Sequence, residues 1–443
     1  MQYDLIVVGA GPGGLTAART AAENGLKVAL VERKDHPAHI RRACTMMLLV
    51  IHDYIYGERI GFNQRGNRIY FPINGFSIPY NGPHKNLYAW HFFAPDGESF
   101  VQFGDYDEAS SKGDEGRVSI VFDKATLLES LLEGAQKNHI DFFPGINVID
   151  VRKGKGDVKV IGSNGKIFKG TFVIAADGCN SVVAKKLGFN DERFFYCTLI
   201  GFGYEVEGAE PEYPLTLKTL MDPEYPDVFH FMTPRAASDN FVVFSGGFDP
   251  RKNYDSIVNR LLSTGRYASW FRKARKVETV CFAENVYTPI AKPYRDNCLL
   301  VGDAAWCQEI EITGAILSGF RAANAVTVAL ADGKINREGV EGYLQWWKKS
   351  VYGLYDHRDY LRPFTMPLMM TKEEISYLFS LFPVLPSTLH AYKAVELLGA
   401  GIQSIIPRIA QERPELLGKI QKFATTPLEY SFVNFAKNCF PNR

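Results

Sequence analysis

The opening of the chain places short apolar runs on either side of an alanine-rich stretch. Residues 4–8 (DLIVV) form a short apolar run, which is typical of a strand buried on both faces. Residues 13–24 are rich in alanine and predict a helix, and residues 27–32 predict a second strand. A strand, a helix and a strand within about thirty residues indicate a βαβ unit, so we expect a parallel α/β fold at this end.

Later segments follow other patterns. Residues 59–103 are rich in aromatic residues, glycine, asparagine and proline, which favours irregular or antiparallel β structure. Residues 198–286 contain alternating runs such as LIGFGYEV, which favour an antiparallel sheet. A predicted helix at 123–138, a buried strand at 298–301 and a helix at 314–332 belong to the α/β pattern. Beyond these, the chain is helical and punctuated by proline.

Together the patterns predict a Rossmann-like α/β cofactor domain, an inserted antiparallel β-sheet domain for the substrate, and a C-terminal helical region. Residues 107–116 (DEASSKGDEG) are predicted to form a polar surface loop. The predicted segments are 1–60, 104–190 and 285–340 for the cofactor domain, 61–103 and 191–284 for the substrate domain, and 341–443 for the C-terminal region.

Composition narrows the classes of function. The chain has 443 residues, and its 50 basic and 49 acidic residues nearly cancel, so there is no broad positive field for nucleic acid. Seven scattered cysteines include no CxxC pair, which argues against a disulfide framework or a thiolate metal site and favours a reducing cytoplasm. We see no export signal and no unbroken run of about 18 or more apolar residues, so we do not expect a membrane-spanning chain, while contact with a membrane surface stays open.

The first candidate site is the sequence GAGPGG between the first strand and the first helix. Gly9, Gly11 and Gly14 have GxGxxG spacing, which permits a tight turn, close approach of the backbone to a diphosphate, and close helix–strand packing. The helix N-terminus adds amide donors for the phosphates. Glu32 ends the second strand, where a carboxylate can accept hydrogen bonds from ribose hydroxyls. The spacing predicts a dinucleotide but leaves NAD and FAD open.

Two later segments resemble the flavin motifs of the flavoprotein hydroxylase and geranylgeranyl reductase superfamily. Asp177 and Gly178, in FVIAADGCNS, resemble its Asp-Gly motif, in which the Asp lies near the flavin diphosphate and ribityl chain. Asp303, in NCLLVGDAA, resembles its Gly-Asp motif, in which the Asp hydrogen-bonds a ribityl hydroxyl. The resemblance covers roughly residues 1–330 and implies FAD as the cofactor.

Other features are similar to the geranylgeranyl reductases in particular. Arg42 and Cys44, in ERKDHPAHIRRACT, correspond to an Arg and a Cys that approach the flavin in that family, and Lys124 stands where the family has an Arg before a helix. The resemblance and the GxGxxG reasoning together give a set of candidate cofactor-binding residues. They are Gly9, Gly11, Pro12, Gly13, Gly14, Glu32, Arg33, Arg42, Lys124, Val148, Asp177, Gly178, Gly302 and Asp303.

The chain departs from the family just after Asp303. Members carry a proline and a glycine-rich turn there, whereas this chain reads WCQEIEITGAILSGF. Either Glu309 and Glu311 occupy the turn, or Thr313 and Gly314 keep it in reduced form. A carboxylate in this position could supply a proton. The candidate catalytic residues are therefore Cys44, facing the reacting carbons, and Glu309 or Glu311 as the acid.

The aromatic residues of the predicted substrate domain could line an apolar cavity or simply form a core. They are Tyr70, Phe71, Phe76, Tyr80, Tyr88, Trp90, Phe92 and Phe93.

The leading hypothesis is an FAD-dependent oxidoreductase that reduces carbon–carbon double bonds of an apolar isoprenoid, lipid, quinone or aromatic substrate. The alternatives are an FAD-dependent aromatic or lipid monooxygenase, a flavoprotein that only relays electrons, and a non-redox flavin cyclase. Since the chain has no second GxGxxG, electrons would come from an external donor, either a nicotinamide or a ferredoxin-like protein.

Overall fold

The computed structural model describes residues 2–40, 42–49, 54–63, 65–154, 156–307 and 310–439. Its core is a mixed sheet in which the opening strand Gln2–Val8 pairs in parallel with Val28–Val31 on one side and Ile167–Ala175 on the other. Leu5, Ile6 and Val7 are fully buried there. The strands of this cofactor sheet are Gln2–Val8, Val28–Val31, Asp141–Phe143, Val148–Lys153, Val158–Gly162, Ile167–Ala175, Tyr294–Arg295 and Cys298–Leu300.

Two helices pack together against this sheet. The helix Pro12–Glu23 follows the opening strand, and the helix Glu311–Ala331 lies against it. Their backbones approach so closely that a Cβ atom on Gly319 would lie 2.1 Å from the carbonyl oxygen of Gly13. Small residues are therefore required where the two helices touch. The predicted Rossmann-like unit is confirmed, with both helices within a few residues of their predicted bounds.

The helix Glu311–Ala331 is the one helix in the described part of the chain that is long and apolar enough to cross a bilayer. More than half of that apolar stretch is buried inside the fold. Burial against Pro12–Glu23 accounts for its apolar character.

The remaining helices cover the sheets and build the C-terminal region. The α-helices are Pro12–Glu23, Tyr106–Ser111, Lys124–Lys137, Val182–Lys186, Tyr254–Ser263, Glu311–Ala331, Glu341–Trp347, His357–Leu361, Lys372–Leu381, Ala391–Glu412, Glu415–Thr425 and Leu428–Cys439. Shorter 3-10 segments lie at Gly113–Glu115, Phe189–Glu192, Arg266–Phe271, Gly302–Ala304, Glu338–Val340 and Arg362–Leu368, and a π-helical turn lies at Lys348–Tyr352.

A seven-stranded sheet, called the large sheet below, forms the second layer. It is antiparallel as predicted, except that Thr216–Met221 pairs in parallel with Ala89–Phe93. The long connection between these two strands leaves room for the crossover that parallel pairing needs. In spatial order the strands are Arg275–Tyr287, Phe195–Glu207, Phe241–Gly247, Phe229–Pro234, Thr216–Met221, Ala89–Phe93 and Phe100–Phe103.

Two three-stranded sheets complete the β structure. One joins Met47–Leu48, Ser119–Phe122 and His84–Leu87, and so pairs strands from segments that the sequence assigns to different domains. The other joins Gly61–Asn63, Arg68–Phe71 and Phe76–Pro79. The segment bounds of the domains therefore stay a prediction.

The expectation of a loop at residues 107–116 is wrong. The structure has the helix Tyr106–Ser111 followed by the 3-10 turn Gly113–Glu115. Asp105 caps the helix, because its carboxylate accepts a hydrogen bond from the amide of Glu108 at 2.9 Å. Because the helix contains no buried residue, the sequence has no apolar periodicity that would indicate a helix here.

Residues 382–389, called the strap below, attach the C-terminal region to the outer edge of the large sheet. The amide of Leu385 donates to the carbonyl of Gln102 at 2.8 Å, and the amide of Gly104 donates to the carbonyl of Leu385 at 2.9 Å. Gly104 has a φ of +94°, and a Cβ atom there would lie 2.4 Å from the hydroxyl oxygen of Ser387. The strap therefore covers the edge strand Phe100–Phe103.

Candidate active site

A cavity of about 920 Å³ is lined by residues of the cofactor sheet, the large sheet and the C-terminal region. Of the fourteen residues predicted to hold a dinucleotide, all except Gly14 line it. Gly14 packs inside the turn instead, since a Cβ atom there would lie 1.9 Å from the carbonyl oxygen of Gly9. The three separated sequence motifs thus meet in one place.

The GxGxxG turn has the geometry that a diphosphate requires. Gly9 has a φ of +97°, and a Cβ atom there would lie 2.5 Å from the carbonyl oxygen of Ala176. At Gly11, by contrast, nothing lies within 4 Å of the position of a Cβ atom. This open backbone stands at the N-terminus of the helix Pro12–Glu23, where amide groups without helical partners favour an anion.

Glu32 is held rigidly at the carboxyl end of its strand. It is 5% exposed, and its Oε2 and Oε1 atoms accept hydrogen bonds from the amides of Ala10 at 2.6 Å and Lys34 at 2.9 Å. Each carboxylate oxygen has a second lone pair, so both can still accept a hydrogen bond from a ribose hydroxyl.

The carboxylate of Asp177 forms its hydrogen bonds with residues of the turn that follows it. It accepts hydrogen bonds from the hydroxyl of Ser181, the N-cap of the helix Val182–Lys186, at 2.6 Å and from the amide of Val182 at 2.8 Å. Burial raises its pKa. The adjacent Gly178 has a φ of +82° and open space at its Cβ position. These hydrogen bonds of Asp177 fix the bare backbone of Gly178 at the wall of the cavity.

Asp303 lies in the second flavin motif and is half-buried, as Asp177 is. Its Oδ1 atom accepts a hydrogen bond from the amide of Ile310 at 3.1 Å. Burial raises the pKa of Asp303, and the nearby guanidinium of Arg42 opposes that rise. Gly302, with a φ of +62°, anchors the turn by donating its amide hydrogen to the hydroxyl of Ser318 at 3.0 Å.

The loop that carries Arg42 and Cys44 bridges the cofactor sheet and the large sheet. Arg42 forms an ion pair with the buried Glu284 of the large sheet. The carbonyl of Cys44 accepts a hydrogen bond from Arg235 at 3.5 Å. The sulfur of Cys44 accepts contacts from the amide of Met46 at 3.4 Å and from Nζ of Lys124 at 3.9 Å. Cys44 and Lys124, predicted separately, are therefore neighbours.

Sequence reasoning missed Glu284 and Arg235. Both lie on strands or strand ends whose alternating pattern predicts only a sheet face, and no motif marks them. Arg235 is 8% exposed, and its Nε atom donates to Glu205 at 2.8 Å. This ion pair holds the guanidinium against the loop of Cys44.

Glu311 is the first residue of the helix Glu311–Ala331, and its side chain lines the cavity. Its φ of +62° lies in the left-handed region, which costs energy for any residue with a side chain. Glu309 lies outside the described residues. Thr313 and Gly314 are helical, so the alternative in which they form a turn is wrong. The helix begins earlier than predicted, and Glu311 has a backbone conformation that favours glycine.

The far end of the cavity is apolar. Of the eight aromatic residues considered in the sequence, Trp90 and Phe92 line it and the other six do not. From the large sheet this end takes Trp90, Phe92, Phe103, Leu217, Phe229 and Phe231. From the C-terminal region it takes Phe364, Leu389, Ala394 and Leu398. The C-terminal region therefore forms one wall of the cavity.

Comparisons with known proteins agree with this geometry. The model of the pyridine nucleotide-disulphide oxidoreductase family matches residues 3–192. A digeranylgeranylglycerophospholipid reductase of Methanothrix thermoacetophila is 28% identical over 375 residues, covering 79% of this chain and 84% of the relative. One of Methanosphaerula palustris is 23% identical and covers 95% and 97%.

A solved structure shows the same fold over nearly the whole length. It is the geranylgeranyl bacteriochlorophyll reductase-like protein of Thermoplasma acidophilum, with a TM-score of 0.67, 19% identity, and coverage of 95% of this chain and 99% of that chain. At this identity the likeness concerns the fold. Together with the flavin motifs that meet in the cavity, these relatives show that the chain is an FAD-dependent oxidoreductase, similar over most of its length to the digeranylgeranylglycerophospholipid reductases.

Proposed function

We propose that the chain reduces carbon–carbon double bonds in the hydrocarbon chain of an isoprenoid lipid. The observation that carries this proposal is the contrast in polarity between the two ends of the cavity described above. One end is lined by the predicted cofactor-binding residues, while the described residues that line the other end carry no charge. An uncharged, largely aromatic wall suits a hydrocarbon chain and offers no ion pair to a polar substrate.

Saturation of a double bond requires a hydride on one carbon and a proton on the other. When bound and reduced, FAD supplies the hydride. The chain itself must supply the proton and hold the double bond in position. Glu311 is the proposed proton donor, because it is an acidic residue that lines the cavity at the start of the helix that follows Asp303.

Cys44 is the proposed residue facing the reacting carbons. It lines the cavity, and the contacts from Lys124, Arg235 and Met46 fix its position. The apolar end keeps water away from the reacting carbons, which protects a reduced cofactor from side reactions.

The electron donor and the location of the protein belong to the same proposal. A nicotinamide or a ferredoxin-like protein would reduce the cofactor from outside, in the cytoplasm, and a lipid substrate would be taken up at a membrane surface. Mixing oxidised, FAD-loaded protein with NADH, NADPH or reduced ferredoxin under argon, and following flavin bleaching, identifies the donor.

The function is tested by the mass of the product formed without oxygen. FAD-loaded protein is reduced chemically under argon and mixed with geranylgeraniol, and the products are analysed by mass spectrometry. We expect a gain of two hydrogen atoms for each double bond reduced. A product that needs oxygen and gains an oxygen atom would indicate a monooxygenase, and a product of unchanged mass would indicate a cyclase. A protein that passes electrons only to dyes or to a partner protein would be an electron relay.

A further inference from the structure

The cavity crosses the large sheet from one edge to the other. Its lining begins with Glu284 on the strand Arg275–Tyr287 and reaches Phe103 on the strand Phe100–Phe103. Each strand between these edges contributes at least one lining residue, in spatial order Leu199, Phe244, Phe231, Thr219 and Trp90. The cofactor-binding loop of Arg42 meets the Glu284 edge, so the Phe103 edge is the end remote from it.

The width of the sheet sets the scale of the cavity. Neighbouring strands lie about 4.8 Å apart, so six spacings make a path of about 29 Å. One leaflet of a bilayer has a hydrocarbon depth of about 15 Å, which is the length of an ordinary lipid chain. The path is therefore long enough for a lipid chain together with the part of the cofactor that meets it. The residues at the remote end of the path set the longest lipid chain that fits.

Trp90 stands at that remote end in a fixed orientation. Its indole Nε1–H donates to the hydroxyl oxygen of Thr219 at 3.0 Å, and both side chains line the cavity. The ring of Phe103 lies behind it, with 5.3 Å between the centroids. Phe103 is fully buried and pairs with Leu385 of the strap. Because the strap packs behind this aromatic pair, a longer hydrocarbon chain cannot easily displace the two rings.

We propose that Trp90, supported by Phe103, is the end wall that sets the longest hydrocarbon chain the cavity accepts. This inference rests on the proposed function, since it concerns the same cavity and the same class of substrate. Each methylene group that enters the cavity strengthens binding about fourfold, so affinity rises with chain length until the chain meets the wall. Beyond that length, further methylene groups stay in water and add nothing.

The strand that carries Trp90 also provides a matched control. Phe93 lies three positions along the same strand, is buried, and packs in a separate cluster with Trp270 and Tyr267. Phe93 does not line the cavity. A change at Phe93 disturbs the same strand but leaves the wall in place.

The test measures binding of saturated polyprenyl alcohols of increasing length to oxidised, FAD-loaded protein, by titration with calorimetry. Saturated alcohols cannot be reduced, so the measurement is independent of turnover. In the unchanged protein we expect affinity to rise with length and then level off at a break point. Trp90→Ala moves the break point to longer chains, and the milder Trp90→Leu moves it less. Phe93→Leu leaves it where it is.

The outcomes separate the two claims. If the Trp90 variants retain FAD and keep the original break point, or if Phe93→Leu shifts it equally, the end-wall inference is overturned. If Trp90→Ala does not fold, Trp90→Leu decides by the same criterion. If the unchanged protein binds none of the alcohols and reduces no unsaturated alcohol, the proposed function itself fails, and the inference fails with it.

Discussion

The Nζ atom of Lys124 lies 3.9 Å from the sulfur of Cys44, although eighty positions separate the two residues in the sequence. Lys124 begins the helix Lys124–Lys137, and Cys44 belongs to the loop that bridges the two main sheets. The contact brings a cation and a thiol to the same part of the cavity wall.

Replacement of Cys44 should affect turnover more than replacement of another cysteine of the same wall. Cys44→Ala should lower kcat by about tenfold or more with unchanged FAD content, because a side chain that positions the reacting carbons is lost. Cys281→Ala is the matched control, since Cys281 also lines the cavity but is exposed. Equal effects of the two changes on kcat would contradict the role of Cys44.

Glu311 should show opposite effects on stability and activity. Glu311→Gly relieves the left-handed backbone strain and should raise the free energy of unfolding by about 1 kcal/mol. The same change removes the proposed proton donor and should lower kcat by about 10²-fold or more. Glu311→Gln keeps the strain and loses the proton donor, so it should lower kcat without the gain in stability. Thermal unfolding and anaerobic turnover measure the two effects, and a Gln variant with full activity would exclude Glu311.

Asp303 should make the apoprotein less stable as the pH rises. Burial raises its pKa, so the folded chain holds this proton more tightly than the unfolded chain does. The free energy of unfolding therefore falls as the pH rises above about 4, where the unfolded carboxyl group ionises. Asp303→Asn should remove this loss, and its gain in apoprotein Tm should be larger at pH 7 than at pH 5.

The same Asp303→Asn variant should bind FAD more weakly, because it loses the carboxylate proposed to hold a ribityl hydroxyl. Fluorescence titration of FAD measures that affinity. Asp107→Asn, on the exposed face of a short helix, is the control and should change stability by no more than about 0.5 kcal/mol. A gain in Tm that is larger at pH 5 than at pH 7 would contradict the assignment.

His91 lies on the face of the large sheet away from the cavity, and we expect it to give the free energy of unfolding a different pH dependence. Burial lowers its pKa to about 3, and neither ring nitrogen has a hydrogen-bond partner in the structure. Because the pKa of His91 is lower in the folded chain, its neutral form contributes fully to the free energy of unfolding above about pH 6.5. That contribution is lost as the pH falls toward the pKa of the folded chain. At pH 5 the loss is about 2 kcal/mol. His91→Phe should remove it, so chemical denaturation should find a greater gain at pH 5 than at pH 8.

The glycine-rich end of the cavity could be predicted from sequence because its backbone geometry is local. Gly9, Gly11 and Glu32 lie within one βαβ unit, where spacing alone fixes which backbone atoms face the helix N-terminus. Asp177 lines the cavity, but its carboxylate bonds to Ser181 and to the first amide of a helix, which depends on the turn that follows and not on the motif. Asp303 and Arg42 come together through the fold and were found through the family resemblance.

The apolar end could not be predicted in the same way. The spacing of Ala394 and Leu398 indicates a buried helix face, yet the same spacing would serve a helix packed in an ordinary core. That this face lines a cavity depends on the strap, whose hydrogen bonds to Gln102 and Gly104 join segments almost three hundred residues apart. Glu311 was predicted as an acid, but its helical position was not, because a left-handed residue at a helix start has no sequence signal.

Reduction of double bonds is tested most sharply by comparing an unsaturated chain with its saturated analogue. Chemically reduced, FAD-loaded protein is mixed under argon with geranylgeraniol or with the fully saturated alcohol of the same length, and flavin absorbance is followed by stopped flow. If the protein reduces double bonds, we expect the unsaturated alcohol to reoxidise the flavin and the saturated alcohol to leave it reduced. Flavin that stays reduced with both alcohols, in protein that binds both, would contradict it.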